Sequence, residues 1–147
     1  MKNIIAVLPA LLLIAACGGG PESRVKKGEI AKTMEQASDQ GNLIEAIGIG
    51  AADQTLDNKT QKMATSRNAA IVAAQYEMLS MVKGLQLEGG ITVEKAIETD
   101  SKLQTSIDAE IKGAEIVKTE WTNDDGCVVT IRLDKKRLEK MMGIKFK

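Results

Sequence analysis

The stretch LIEAIGIGAA (residues 43–52) decides how the chain folds, because it is almost wholly apolar and is interrupted by Gly48 and Gly50. A short apolar run of this kind is typical of a strand that is buried on both faces. Glycine within a strand usually marks a bulge or the close approach of another backbone. We therefore expect a second element to lie directly against this strand at its glycines.

The next segment is suited to such an approach. Asp57 or Asn58 offers a helix N-cap, and Asn58 with Gln61 fits a capping box. A helix is predicted over residues 59–83, with Gly84 as a left-handed cap residue. Alanines at positions 69, 70, 73 and 74 would let it approach the strand closely. Its predicted apolar stripe comprises Ala64, Ile71, Ala74, Met78, Met81 and Val82.

The C-terminal half predicts a second helix and a hairpin. Residues 85–94 (LQLEGGITVE) fit either a tight hairpin or one long bulged strand, and residues 95–112 fit a helix that ends at Gly113. Residues 114–122 and 127–133 alternate as strands around an Asp-Gly step, and Asp134 can cap a short last helix. The order predicts an α+β fold: a two-layer sandwich of a mainly antiparallel, three- to four-stranded sheet with a long Ala-rich helix and a second helix.

The first 17 residues, MKNIIAVLPALLLIAAC, have the three parts of a bacterial export signal: a charged start, an apolar run and small residues before a cut. Residues 14–17 (IAAC) resemble the lipobox of bacterial lipoproteins, in which the cysteine is acylated and becomes the mature N-terminus. An ordinary secretory signal or a short buried helix is the alternative. We expect removal of residues 1–16 and anchoring in the membrane through acylated Cys17, because two or more acyl chains hold a small protein stably.

Residues 17–41 are predicted to be a lipidated tether, and residues 42–147 the folded domain. Residues 18–28 (GGGPESRVKKG) have no apolar periodicity and are typical of a flexible spacer. Ile30, Met34 and Ala37 recur at helical spacing, which predicts a short helix with one apolar edge. Such a helix is marginal alone, so we expect Ile30 and Met34 to contact the domain or a partner.

Composition excludes several functions. The chain has no histidine, which removes imidazole-based triads and histidine-containing zinc sites. Without residues 1–16, 19 basic and 20 acidic residues remain, and this net charge of about −1 does not suggest nucleic acid as a partner. Three aromatic residues are too few for base-stacking platforms. We expect no catalytic residues, cofactor or metal.

Four patterns have both a functional and a structural interpretation. The Gly48–Gly50 pair is half of a dinucleotide fingerprint but lacks the third glycine, so helix packing explains it better. Asp124 and Asp125 lack the further oxygens of a calcium loop and fit a turn. Cys127 lies in an alternating strand, which favours a buried free thiol. The basic segment with Lys135, Lys136 and Arg137 is either a candidate interface or a solvated helix face.

The lipobox, IGIGAA (residues 47–52), SRNAAIVAAQYEMLSMVKG (66–84), IKGAEIVKTEW (111–121) and VVTIRLDKKRLEKMM (128–142) together resemble the LPP-twenty family of bacterial outer-membrane lipoproteins. This family includes flagellar lipoproteins of the FlgP type. The resemblance covers most of the mature chain and implies an anchored, non-catalytic envelope protein, and it favours one long strand over residues 85–94. The chain departs from the family where Cys127, Val128 and Val129 stand in place of aromatic residues.

The resulting functional hypothesis is a lipoprotein of the outer membrane, exposed to the periplasm or the cell surface, with a structural role. It would form homo-oligomers or bind envelope proteins, and it could belong to a ring or disc at the flagellar motor. By resemblance to lipoprotein sorting, Gly18 after the cysteine favours the outer membrane. The alternative is a module that binds a small ligand or peptide between helix and sheet, with Met63, Met78 and Met81 lining the pocket.

Overall fold

The computed structural model describes residues 22–31 and 37–147. It confirms the predicted α+β class, with helices on one face of a four-stranded antiparallel sheet. The strands are β1 (Val25–Lys26), β2 (Glu29–Ile30), β3 (Ala37–Gln40), β4 (Leu43–Gly50), β5 (Glu115–Trp121) and β6 (Cys127–Asp134). The helices are α1 (Lys59–Gly84), α2 (Val93–Thr99), α3 (Ser101–Lys112) and α4 (Lys135–Met142).

The main sheet has the order β3-β4-β6-β5, and every neighbouring pair is antiparallel. The central pair aligns Leu43 with Asp134 at one end and Gly50 with Cys127 at the other. The predicted strands at residues 43–52, 114–122 and 127–133 are thus confirmed. A bulge between Ile116 and Lys118 interrupts the β5–β6 register, as often occurs in edge strands.

The long helix lies across the sheet at the two glycines of β4, as the sequence predicted. A Cβ atom at Gly48 would collide with the backbone of Ala70 and Ala74, and one at Gly50 with the backbone of Ser66. The helix begins where its cap predicts, because the Asn58 side chain accepts hydrogen bonds from the backbone N–H groups of Thr60 and Gln61. Helix α1 and β4 therefore meet backbone to backbone.

The core fills the space between the inner sheet face and the helices. Residues on α1 that are buried recur every four positions, at Ser66, Ala70, Ala74, Met78 and Val82. They meet alternate residues of β6, Cys127, Val129, Ile131 and Leu133, which are at most 3% exposed. The predicted stripe was correct at Ala74, Met78 and Val82, and two more of its residues, Ile71 and Met81, pack partly buried against the same core. Ala64 is exposed, and the buried serine was missed.

Three predictions for the helices and their connections were wrong in detail. Gly84 is the last helical residue and not a left-handed cap, because the chain leaves α1 through an extended Leu85. Of the two alternatives for residues 85–94, the structure has the hairpin and not the long strand that the family resemblance favoured: Gln86 bridges antiparallel to Thr92, and α2 begins at Val93. The predicted helix over residues 95–112 is divided at Asp100, which caps α3 through Lys102 N–H and Leu103 N–H.

The N-terminal segment differs most from its prediction. Residues 22–31 were assigned to a flexible spacer and a helix, but they contain the β1–β2 hairpin, whose ends are joined by the bond from Ala31 N–H to Arg24 O. Its two-residue turn, Lys27 and Gly28, has positive φ at both positions, the geometry of a type I′ turn. Ala37, assigned to the same helix, begins β3, so the sheet includes residues placed in the tether.

Candidate functional site

The predicted anchor and half of the predicted N-terminal interface lie outside the described residues, since neither Cys17 nor Met34 is among them. Ile30 is described. It lies on β2 rather than on a helix, and 40% of it is exposed. Its exposure is compatible with the contact role that the sequence predicted, although its secondary structure is not the predicted one.

The predicted basic interface contributes fewer free charges than its sequence indicates. Lys135 Nζ forms an ion pair with the Asp39 carboxylate of β3, and its backbone N–H donates to Asn42 O. Arg137 Nε forms an ion pair with the Glu110 carboxylate of α3. Lys136 is exposed. Two of the three side chains therefore hold α4 against the rest of the domain, which is a structural use of their charge.

Asp124 and Asp125, in the β5–β6 turn, also make structural contacts. The Asp124 carboxylate accepts a hydrogen bond from the Thr122 hydroxyl, which lowers the pKa of that carboxyl. Asp125 has φ of 61° and lies 3.5 Å from Lys59 Nζ. Its carbonyl oxygen lies 2.8 Å from the hydroxyl of the buried Ser66, so the turn is fastened to α1. In residues 22–31 and 37–147, no three His, Cys, Asp or Glu side chains gather as metal ligands.

The contact between α1 and β4 leaves no space for a ligand at the two glycines. Met78, which was considered for the wall of a pocket, is fully buried in the core. Met81 packs against the same core cluster. Because the backbones already touch, Gly48 and Gly50 serve helix packing and do not cradle a phosphate.

The feature that stands out is the way in which the N-terminal hairpin is fixed to the end of the sheet. On β5, the Glu120 carboxylate accepts hydrogen bonds from Ser23 Oγ (2.6 Å) and from Arg24 N–H (2.8 Å). In the following turn, Asn123 N–H donates to Gly28 O (2.7 Å), and its side-chain amide donates to Lys27 O (3.2 Å). We call these four bonds the hairpin clamp.

The electrostatics of Glu120 favour the charged form that the clamp requires. Partial burial is the largest single influence and opposes ionisation, but the hydrogen bonds from Ser23 and Arg24 and the charge of Lys118 together outweigh it. The pKa of the Glu120 carboxyl is therefore lowered. Lys118 Nζ lies 3.6 Å from the carboxylate. The clamp is thus a charge-assisted contact at neutral pH.

Close to the clamp lies a surface depression of about 400 Å³ between the hairpin and the sheet. Its apolar lining includes Ile30 from β2 and Ile49 from β4, which are 40% and 43% exposed. The turn residues Thr122 and Asn123 form its polar side. Ile30, a predicted contact residue, therefore lies at the same end of the sheet as the hairpin clamp.

A second exposed apolar surface lies on α1, on the side turned away from the sheet. Val72 and Tyr76, one turn apart, are 51% and 72% exposed. Ala69 is exposed beside them. We call these three residues the outer stripe of α1. The alanines of α1 were predicted to allow close packing against the sheet, but Ala69 lies on the outer side of the helix.

Cys127 is a buried free thiol, as the sequence predicted. It is fully buried at the start of β6, opposite Gly50 of β4 and Trp121 of β5. Burial raises the pKa of the thiol, and the nearby charge of Arg67 opposes this effect only in part. A neutral, buried thiol is a weak nucleophile, so this cysteine has the properties of a core residue.

None of the described helices is long and apolar enough to cross a membrane. Comparison with protein-family models, curated proteins and solved structures found no match. The family resemblance therefore rests on the quoted sequence segments alone.

The hairpin clamp is what sequence reasoning missed. Two-residue strands carry no usable periodicity, and the turn has Lys-Gly in place of the Asn-Gly or Asp-Gly that signals a type I′ turn. Glycine at position 28 was the available signal. Its φ is 82°, and a side chain there would collide with Asn123.

Proposed function

We propose that this protein is a lipid-anchored protein of the bacterial outer membrane with a structural, non-catalytic role in the cell envelope. Acylated Cys17 anchors it, and the domain works by contacting copies of itself or other envelope proteins. The observation that carries the proposal is the export signal ending in the lipobox-like IAAC (residues 14–17) ahead of a small folded domain.

The properties of the domain support this role. Several of its described polar and acidic groups are engaged in caps, turns and ion pairs, as at Asp124, Asp134 and Glu110. Among the large apolar residues exposed in the described part of the chain, Val72 and Tyr76 lie on the outer stripe of α1, and Ile30 and Ile49 lie beside the hairpin clamp. Others lie elsewhere: Leu43, Ile91, Ile116 and Ile144. Anchoring raises the effective concentration of such surfaces, so weak contacts between neighbours become sufficient for assembly.

More specifically, by resemblance to the LPP-twenty family, we propose that the protein is a component of a ring or disc around the flagellar motor. Deletion of the gene followed by measurement of motility and envelope leakage tests this level. Loss of motility with an intact envelope supports the flagellar role. Leakage with normal motility supports a general envelope role instead.

The experiment that tests the anchor is replacement of Cys17 by serine, followed by cell fractionation and mass measurement of the intact mature protein. We expect the unchanged protein in the outer-membrane fraction with the added mass of acyl chains, and the C17S protein outside it. Cys127→Ala is the matched control, since it removes the other cysteine and should leave the location unchanged. A membrane-bound C17S protein, or a mature protein without acyl mass, would refute the proposal.

A further inference from the structure

We infer that the end of the sheet that carries the hairpin clamp faces the lipid bilayer. The clamp fixes the chain at Ser23, and the tether that remains is too short for the domain to turn its opposite end toward the membrane. The inference rests on the proposed anchor at Cys17. It names the membrane-facing surface: the β1–β2 hairpin, the β5–β6 turn and the depression between them, with the bilayer surface as the partner.

The length of chain between anchor and clamp carries this inference. Only five residues separate Cys17 from Ser23, whose hydroxyl is bonded to Glu120. Even fully extended, these residues allow a reach of only about 20 Å between Cys17 and Ser23. A tether that was free through residue 41, as the sequence predicted, would reach about 80 Å.

This reach is small compared with the domain. A compact domain of this size has a radius of gyration of about 13 Å, hence a diameter of roughly 35 Å, which exceeds the available tether. The domain therefore cannot turn its opposite end toward the bilayer while the clamp is closed. That opposite end carries the start of α4, and it is separated from the β5–β6 turn by the eight residues of β6, or about 25 Å.

The chemistry of the membrane-facing surface suits a position at the lipid headgroups. The hairpin has exposed Lys26 and Lys27 beside exposed Glu29, and Asp124 is exposed in the neighbouring turn, so the surface has mixed charge. Ile30 and Ile49 are partly exposed next to it. Lysine side chains pair with anionic headgroups, and apolar side chains gain when they leave water at the interfacial region. The outer stripe, on the side of α1 that is turned away from the sheet, remains available to contact proteins.

The test compares the heights of two positions above the membrane. The full-length, acylated protein, in a Cys127→Ala background, is reconstituted into vesicles of phosphatidylcholine and phosphatidylglycerol with an energy-transfer acceptor on the headgroups. A donor dye is placed on Lys26→Cys in the hairpin, or on Lys136→Cys at the opposite end. Both positions are exposed. We expect the hairpin dye to lie lower by about 20 Å, most of the length of β6.

Two variants control for tether length and for the clamp. An insertion of about twelve Gly and Ser residues after Gly20 lengthens the tether without touching the domain, and should bring the two heights together. The double change Glu120→Ala and Asn123→Ala removes the three clamp bonds that depend on these two side chains, and it should have the same effect.

Each result has one meaning. Equal heights for the two dyes in vesicle-bound, acylated protein would overturn the inference and leave the anchor intact. A height difference that survives the insertion would overturn it too, because tether length would then not cause it. Absence of acyl mass or of vesicle binding, measured before any energy transfer, would instead refute the proposed anchor.

Discussion

Gly48 shows how one residue determines the distance between two elements. Any side chain at this position would enter the backbone of α1, at Ala70 and Ala74. The neighbouring atoms are main chain and cannot rotate away, so helix and strand would have to separate. Such overpacking typically costs 1–3 kcal/mol, and more where relaxation is blocked.

We therefore predict that Gly48→Ala lowers the free energy of unfolding by about 3 kcal/mol or more. Urea unfolding followed by circular dichroism measures the change. Gly89→Ala is the matched control: a Cβ atom there has no neighbour within 4 Å, so the change should stay within about 0.5 kcal/mol. Equal unfolding midpoints for the two variants would contradict the close contact between α1 and β4.

At the scale of an element, the β1–β2 hairpin depends on an ionised Glu120. The pKa of this carboxyl is lowered in the folded protein, so the unfolded chain binds more protons in the acid range. The contribution of the ionised Glu120 to the clamp is complete above the ordinary glutamate pKa of about 4.3 and is lost as the pH falls through the lower, folded value.

We expect an NMR titration of the Arg24 amide, which donates to Glu120, to have its midpoint below the ordinary glutamate pKa. At neutral pH, Glu120→Gln should mimic the acid state and increase hydrogen exchange in residues 22–31 relative to the unchanged protein. Glu115→Gln, on the same strand, is the control and should leave that exchange unchanged. A midpoint at or above the ordinary value would contradict the charge-assisted clamp.

Elements with strong local signals were predicted well. The apolar run with two glycines correctly predicted β4, and the cap at Asn58 with the alanines correctly predicted α1. The Asp-Gly step correctly predicted the β5–β6 hairpin. The break between α2 and α3 was missed because both halves continue one apolar edge. Its signal was Asp100, whose side chain caps α3. The clamp was missed because it joins residues about 96 positions apart.

At the scale of the whole molecule, the proposed function predicts self-association. We expect the acylated protein in detergent to have, by light scattering, a mass greater than that of one chain with its detergent. Tyr76→Glu places a charge on the outer stripe of α1 and should weaken association about tenfold or more, equivalent to about 1.4 kcal/mol.

Ala109→Glu is the control for that measurement. Ala109 is exposed on α3, a different helix from the one that carries the outer stripe, and the change should leave the mass unchanged. A single-chain mass for the unchanged protein at high concentration would count against assembly. An unaltered mass for the Tyr76 variant would locate the contact on another surface.

For the exported protein that we propose, the burial of Cys127 has a consequence outside the reducing cytoplasm. Crowded neighbours in one membrane leaflet meet often, and accessible sulfhydryls would couple them into permanent covalent dimers. Here the thiol is buried in the core, so oxidation requires local opening of the fold, and its rate follows that opening rather than the frequency of collisions. Neighbours that touch can therefore separate again.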